Sequence, residues 1–283
     1  MEFWREREKV HVVALYYFTK LMLFLVLMFK ISGILRINMS SDLISCLQLD
    51  KDWIGRGRLI VVNEVNGGDS SFIDSCVLSH CIKYRKSVII ISTHNSLNHY
   101  QNVGLKMNYN LQKQIDCGLI EFHDLAKQSV ENILADDSKD LLLKIREKVL
   151  ISLKCGNVCI ILDGVSHLFD LQYTLKEVNE LIKGIFELIR YNDNSFFLCH
   201  CNDAAEDDVT HIMANMLVHK AHTVLEIETL PSGWSADVSG HMTVKHPGEK
   251  FDKKSMCILD YKPTKYLFKL FDRGVKLLAP GTV

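Results

Sequence analysis

From residue 59 onward, short apolar runs alternate with longer stretches of mixed polarity. The runs Leu59–Val65, Ser87–Ser92, Leu119–Phe122, Val158–Leu162 and Ser195–Leu198 are continuously or almost continuously apolar. Runs of that length and character predict strands buried on both faces of a sheet. Between them, helical patterns fall at about Ser70–Tyr84, Tyr100–Met107, Lys139–Lys154, Thr174–Tyr191 and Val209–Lys220. The clearest is Leu175, Val178, Leu181, Ile182, Ile185, Phe186 and Ile189, whose spacing lays one apolar stripe along a helix. Strand–helix alternation of this kind predicts an α/β fold of three layers, a mostly parallel central sheet between helices. After about residue 223 the pattern changes. Val224–Ile227, Met242–Val244, Met256–Leu259 and Tyr266–Leu270 are strand-like and joined by short Gly or Pro connections, and all four prolines of the chain fall in this part. An antiparallel C-terminal extension is expected there.

The first run leads into a turn with the outline of a phosphate-binding loop. Leu59 to Ser71 reads Leu-Ile-Val-Val-Asn-Glu-Val-Asn-Gly-Gly-Asp-Ser-Ser, and a helical pattern comes next. A working loop, G-x-x-x-x-G-K-[ST], aims backbone N–H groups at phosphate oxygens, adds a Lys charge and places a hydroxyl on Mg²⁺. On that frame Asn63 stands at the first Gly, and Gly68, after Gly67, at the second. Asp69 takes the Lys position and Ser70 the hydroxyl position. Asp for Lys reverses the charge beside the phosphates, worth roughly 4 kcal/mol per ion pair at ~4 Å and an effective dielectric of ~20. A second nucleotide motif, an apolar strand ending in an acid, is met by Val158–Asp163. In an active ATPase such an Asp holds Mg²⁺ and an acidic neighbour polarises water. Here Gly164 follows Asp163, so no base is in place. The pattern predicts a nucleotide-binding fold whose nucleotide site is degenerate.

Composition changes this picture little. The chain has 283 residues, 48% hydrophobic and 24% charged, with a formal net charge of −1, so no global basic field points to nucleic acid. Locally, Lys245–Lys276 is Lys-rich and Glu206, Asp207 and Asp208 are an acidic cluster; both read first as solvated faces. The nine cysteines lie mostly in apolar runs, which predicts buried thiols in a reducing compartment. Cys155 and Cys159, and Cys199-His200-Cys201, lie on predicted strands without a second knuckle, so no metal site is expected. Among twelve histidines, His94 and His99 flank a loop, His167 follows Asp163, and His219 and His222 are three apart on a predicted helix. None stands in a nucleophile or metal motif, and no catalytic residue or cofactor is expected.

Val10–Phe29 is long and apolar enough to be a signal anchor, interrupted by His11, Thr19 and Lys20. The favoured reading is a soluble domain beginning near Met39, with residues 1–38 an extension outside the fold.

Two further segments stand out: His-Tyr-x-x-Val-Gly-x-Lys at His99–Lys106 and Gly-x-x-x-Asp-Val-x-Gly at Gly233–Gly240. With the loop lacking Lys, the Leu162-Asp163 strand end and the Tyr261-Lys262 to Leu277-Leu278-Ala279-Pro280 tail, they resemble the family of the sixth Elongator subunit. The resemblance covers about Met39 to Val283. It implies a RecA-like domain without functional nucleotide motifs, a pseudo-ATPase rather than an enzyme. It further implies assembly with the fourth and fifth Elongator subunits into a hexameric ring. That ring joins the catalytic subcomplex, contacts tRNA and supports modification of the wobble uridine. It implies a cytoplasmic protein, with the nucleus as a second location and no membrane. Head-to-tail interfaces of such units close into rings when the rotation permits. The Lys-rich segment Lys245–Lys276 is the candidate for tRNA phosphates. The rival expectation is a divergent RecA-like ATPase with a non-standard phosphate loop.

Overall fold

The computed structural model describes residues 41–50, 57–134, 141–154, 156–204, 206, 208–233, 235–247 and 262–278. The apolar stretch at residues 10–29, Cys155, Trp234 and the strand expected at Met256–Leu259 lie outside them.

A short helix α1 (Ser41–Cys46) precedes strand β1 (Arg58–Val65) and helix α2 (Ser71–Lys83). Then come β2 (Ser87–Ser92), α3 (Leu97–Lys106), α4 (Leu111–Asp116), β3 (Ile120–Asp124), α5 (Leu125–Leu134) and α6 (Leu141–Leu153). β4 (Val158–Asp163), α7 (His167–Asp170), α8 (Leu175–Ile189), β5 (Phe196–Asp203), α9 (Val209–Lys220) and β6 (Thr223–Glu228) come after these. β7 (Gly240–Lys245), β8 (Thr264–Phe271) and β9 (Gly274–Leu278) end the described chain. The strands form a 9-stranded sheet ordered β3-β2-β4-β5-β1-β6-β7-β8-β9. Pairing is parallel from β3 to β6 and antiparallel from β6 to β9. The expected α/β fold with a mostly parallel sheet and antiparallel C-terminal strands is what the chain forms.

Two apolar layers hold it. On one face Ile60, Val62, Ile90, Ile161 and Leu198 pack with Ile73, Val77 and Leu78 of α2, Leu43 of α1 and Leu47 just past its end. On the other, Leu59, Val61, Ile89, Ile160 and Phe197 pack with Ile145 and Val149 of α6, the α8 stripe, and Met213 and Leu217 of α9. Strands sandwiched this way need apolar residues at every position, which is why they read as continuous runs. β7 is covered on one face only and alternates buried and half-exposed residues. The α8 stripe forms as expected and begins with a capping box: Thr174 Oγ1 accepts from Glu177 N–H while Glu177 accepts from the Thr174 backbone.

The differences have local causes. β6 is not the first antiparallel strand; it runs parallel to β1 and presents its other edge to β7. β5 continues from Leu198 to Asp203 because His200 and Asn202 are polar yet stay in register with β1. His222 lies past the end of α9, where its Nδ1 accepts from Leu59 N–H at 3.1 Å. It therefore docks the α9–β6 connection onto β1 instead of sharing a helix face with His219.

Candidate functional site at the carboxyl ends of the parallel strands

β1 remains extended through Asn63 and Glu64 to Val65, so the first three positions of the phosphate-loop frame are strand. A tight turn comes next. Asn66 (φ 52) and Gly67 (φ 74) take left-handed conformations and Gly68 N–H donates to Val65 C=O at 3.0 Å. Gly68 has a packing reason to lack a side chain, since a Cβ there would lie 2.3 Å from the Ile227 carbonyl oxygen of β6. Helix α2 then starts at Ser71 with amides pointing toward the turn. These are the groups that would receive a phosphate, and the chain's own acids have taken them. Glu64 Oε1 accepts from Ser70 N–H (2.9 Å) and Oγ–H (2.7 Å). Asp69 Oδ1 accepts from Ser71 N–H (2.9 Å) and Oγ–H (2.7 Å). A helix N-terminus favours negative charge, and here two side-chain carboxylates supply it.

Behind the turn lies a buried polar chain. His200 of β5 sits between Ser70 Oγ (2.6 Å from Nδ1) and Asp74 Oδ1 of α2 (2.7 Å from Nε2). Tyr100 of α3 donates to Asp163 Oδ2 at the end of β4 (2.9 Å) and stands 3.3 Å from Asp74 Oδ2. Ser92 Oγ and Asn95 Nδ2 also donate to Asp163 Oδ2, at 3.2 and 2.9 Å. Burial alone would depress His200, but Asp74, Asp163 and Glu64 around it overcome that and push it up to about 9. Burial pushes the Asp74 carboxyl up, opposed by His200. Ser70, His200 and Asp74 have the order of a nucleophilic triad. The protons run the wrong way for one. An imidazolium donates from both nitrogens, to Asp74 and to Ser70 Oγ, while the Ser70 proton goes to Glu64. The base is already charged and the hydroxyl already committed.

Together Glu64, Asp69, Ser70, Asp163, Gly164, Asn95 and His200 line one small cleft, with His94 and His167 stacked at 4.6 Å on its wall. The structure thus brings together Asp69, Ser70 and Asp163, as the two degenerate motifs imply. Asn63 is buried in β1 and Gly67 is exposed in the turn; neither lines the cleft. No Lys or Arg is among its lining residues. Gly164 (φ +83) is where an acidic base would follow, and a Cβ there would come within 2.6 Å of Thr93 Oγ1 and 2.7 Å of the His167 ring. That hydroxyl bridges the Asp163 and Gly164 carbonyls, so packing excludes a side chain at this position. Among the described residues no group of three or more His, Cys, Asp or Glu could hold a metal ion. Glu64, Asp74, Tyr100 and His200 are the participants that sequence reasoning left out of the site. Their only signal was polarity in or beside an apolar run.

The Lys-rich segment is partly neutralised where it is described. Lys245 pairs with Glu226, Lys265 with Glu228 (3.5 Å) and Lys269 with Asp237 (3.8 Å). Elsewhere Asp208, of the acidic cluster, caps α9 by accepting from Thr210 N–H at 2.7 Å.

Both segments behind the family resemblance have places in this structure. Tyr100 supplies the bond to Asp163, and a Cβ on Gly104 would meet the Tyr109 ring at 2.6 Å. Ser239 N–H donates to Phe268 C=O at 2.7 Å, and Gly240 leaves room for the Phe268 ring and the Glu228 carbonyl. Comparison with known proteins agrees. The family described as Elongation complex protein 6 matches residues 143–264. Elongator complex protein 6 of Danio rerio is 22% identical over 269 residues, covering 86% of this chain and 98% of the relative. That of Homo sapiens is 23% identical over 265 residues, covering 85% and 97%. The resemblance to the Elongator complex protein 6 family is borne out. The Drosophila melanogaster member is 22% identical over 233 residues, 78% of this chain and 90% of the relative. Likeness to this family along almost the whole of its members' length supports a place for the chain in the Elongator complex.

Proposed function

We propose that the chain is a non-catalytic subunit of the Elongator complex. In this reading it is a RecA-like unit that assembles with the fourth and fifth Elongator subunits into a hexameric ring. The ring contacts tRNA and supports wobble-uridine modification by the catalytic subcomplex. The observation that carries the reading is the likeness to Elongator complex protein 6 over 86% of the chain. The closed turn gives it physical sense. A phosphate entering the cleft would displace Glu64 and Asp69 from the amides they cap and lie beside Asp163 with no Lys or Arg to offset it. Each such like-charge approach costs about 4 kcal/mol at ~4 Å and an effective dielectric of ~20. Losing phosphate binding leaves the outer surfaces of the domain free to serve assembly.

Co-expression with the fourth and fifth subunits, followed by native mass measurement, tests the reading. A stable mixed ring containing this chain is expected. A chain that stays monomeric beside an assembled pair of partners contradicts it.

A further inference from the structure

The sequence holds a single Asn-Gly pair, Asn66-Gly67, and it falls at the tip of the β1–α2 turn. Asparagine followed by glycine is the dipeptide most open to attack on its own side-chain amide, because glycine has no Cβ to screen its backbone nitrogen. Folded chains ordinarily engage the backbone N–H of such a pair. Here the turn is closed by the next residue instead, Gly68 N–H donating to Val65 C=O at 3.0 Å. Among the described residues neither the Gly67 N–H nor the Asn66 side-chain amide has a hydrogen-bond partner. Both residues are exposed, and a Cβ on Gly67 would meet nothing within 4 Å.

One bond does reach the pair, and its position bears on reactivity. Thr229 Oγ1, just past the end of β6, donates to the Asn66 carbonyl oxygen at 3.0 Å. That oxygen belongs to the Asn66–Gly67 peptide, whose resonance shares charge between oxygen and nitrogen. A donor on the oxygen therefore stabilises the negative charge that the peptide takes on when Gly67 gives up its N–H proton. Asn108, just past α3, makes the contrast. It is left-handed (φ 65) as Asn66 is (φ 52). Its neighbour Tyr109 is buried, with its N–H already donating to Gly104 C=O at 2.9 Å.

We propose that Asn66 is a site of spontaneous deamidation and that Thr229 promotes the reaction by positioning its hydroxyl on the Asn66 carbonyl. Water or hydroxide takes the Gly67 N–H proton, and the nitrogen attacks Asn66 Cγ. The bond from Gly67 N to Cγ forms, the Cγ–Nδ2 bond breaks, and Nδ2 leaves as ammonia with a proton returned by water. A second water opens the cyclic imide. Opening at Cγ gives aspartate, and opening at the main-chain carbonyl carbon gives isoaspartate, whose backbone is one methylene longer. Either product adds a carboxylate to the turn that already carries Glu64 and Asp69. The reaction needs only water, and it is independent of the Elongator reading.

Incubation of the full chain at physiological temperature, followed by peptide mapping with electron-transfer fragmentation, tests the site. Asn66 is expected to convert to a mixture of aspartate and isoaspartate, at least about tenfold faster than Asn108 and faster as pH rises. Thr229→Val should slow the conversion about threefold or more, the worth of one neutral hydrogen bond, and Thr229→Ser should keep the wild-type rate. Thr229 is exposed, so the three proteins should share one urea midpoint, which keeps the comparison within the folded state. In denaturing urea wild type and Thr229→Val should convert equally, since the hydroxyl then has no fixed place. The proposal is overturned if Asn66 converts no faster than Asn108, or if folded Thr229→Val converts as fast as wild type.

Discussion

The two ends of the parallel sheet are opposites. Where the strands finish, Glu64, Asp124, Asp163, Asp203 and Glu228 place an acid at or next to the end of five strands. Most of these acids are tied to the protein's own donors: Ser70 on Glu64, Lys127 N–H on Asp124, Tyr100 and Asn95 on Asp163, His211 on Asp203. Where the strands begin, Lys83, Arg85 and Lys86 stand exposed or half-exposed and, among the described residues, without acidic partners, and Tyr84 and Tyr191 are among the most exposed aromatics. An α/β sheet ordinarily binds ligands at its carboxyl end. In this chain that end has turned its binding groups on itself, and the uncommitted chemistry sits at the other end. The difference teaches that a fold can keep its shape after its ligand site has become internal structure.

The comparison breaks most visibly at the buried pair. Asp74→Ala removes the strongest influence that holds His200 charged and leaves its buried Nε2 without an acceptor, and should cost about 3–5 kcal/mol in urea unfolding. A loss under about 1 kcal/mol would mean that the carboxyl end is not held by this network. The same pair sets a pH window. The folded value of His200, about 9, lies above its ordinary value of 6.5. Stability from it is therefore fully present below about pH 6.5 and is lost as pH climbs through about 9. Urea midpoints should fall over that window in wild type, and His200→Gln should flatten the profile. Next in size is Gly164→Ala, which meets Thr93, His167 and a positive φ at once. About 1–3 kcal/mol is expected from crowding and strain, read as a lower thermal midpoint. At the opposite end, Lys83→Ala and Lys86→Ala should each change stability by no more than about 0.5 kcal/mol, since neither has a described carboxylate partner to lose. Equal costs at the two ends would erase the contrast.

Much of the fold is legible in the sequence, because a strand covered on both faces must be apolar throughout. Leu59–Val62, Val88–Ile91 and Val158–Leu162 obey that rule, and the α8 stripe is as explicit in its own period. The short helices α4, α5 and α7 were not legible. α4 and α7 have too few turns to show a period, and α5 follows β3 directly with no turn residue to mark its start. β9 escaped because Lys276 interrupts a short run on an edge strand. The site was half legible. Asp69, Ser70 and Asp163 sit at positions that a loop frame and a strand end define. Asp74, Tyr100 and His200 act through partners elsewhere in the chain, the widest case being His200 with Ser70 at a separation of 130 residues. No local spacing encodes such a bond. Only the sheet order, with β1 beside β5 and β4 two strands from β1, brings them together.

The contrast between the two ends rests on the closed amides of the β1–α2 turn. Calorimetric titration of Mg-ATP into the full chain, repeated with Asp163→Ala, measures whether they remain closed to phosphate. No saturable heat is predicted for either protein. Saturable binding by wild type that Asp163→Ala abolishes would contradict the closed turn and restore a working nucleotide site to this chain.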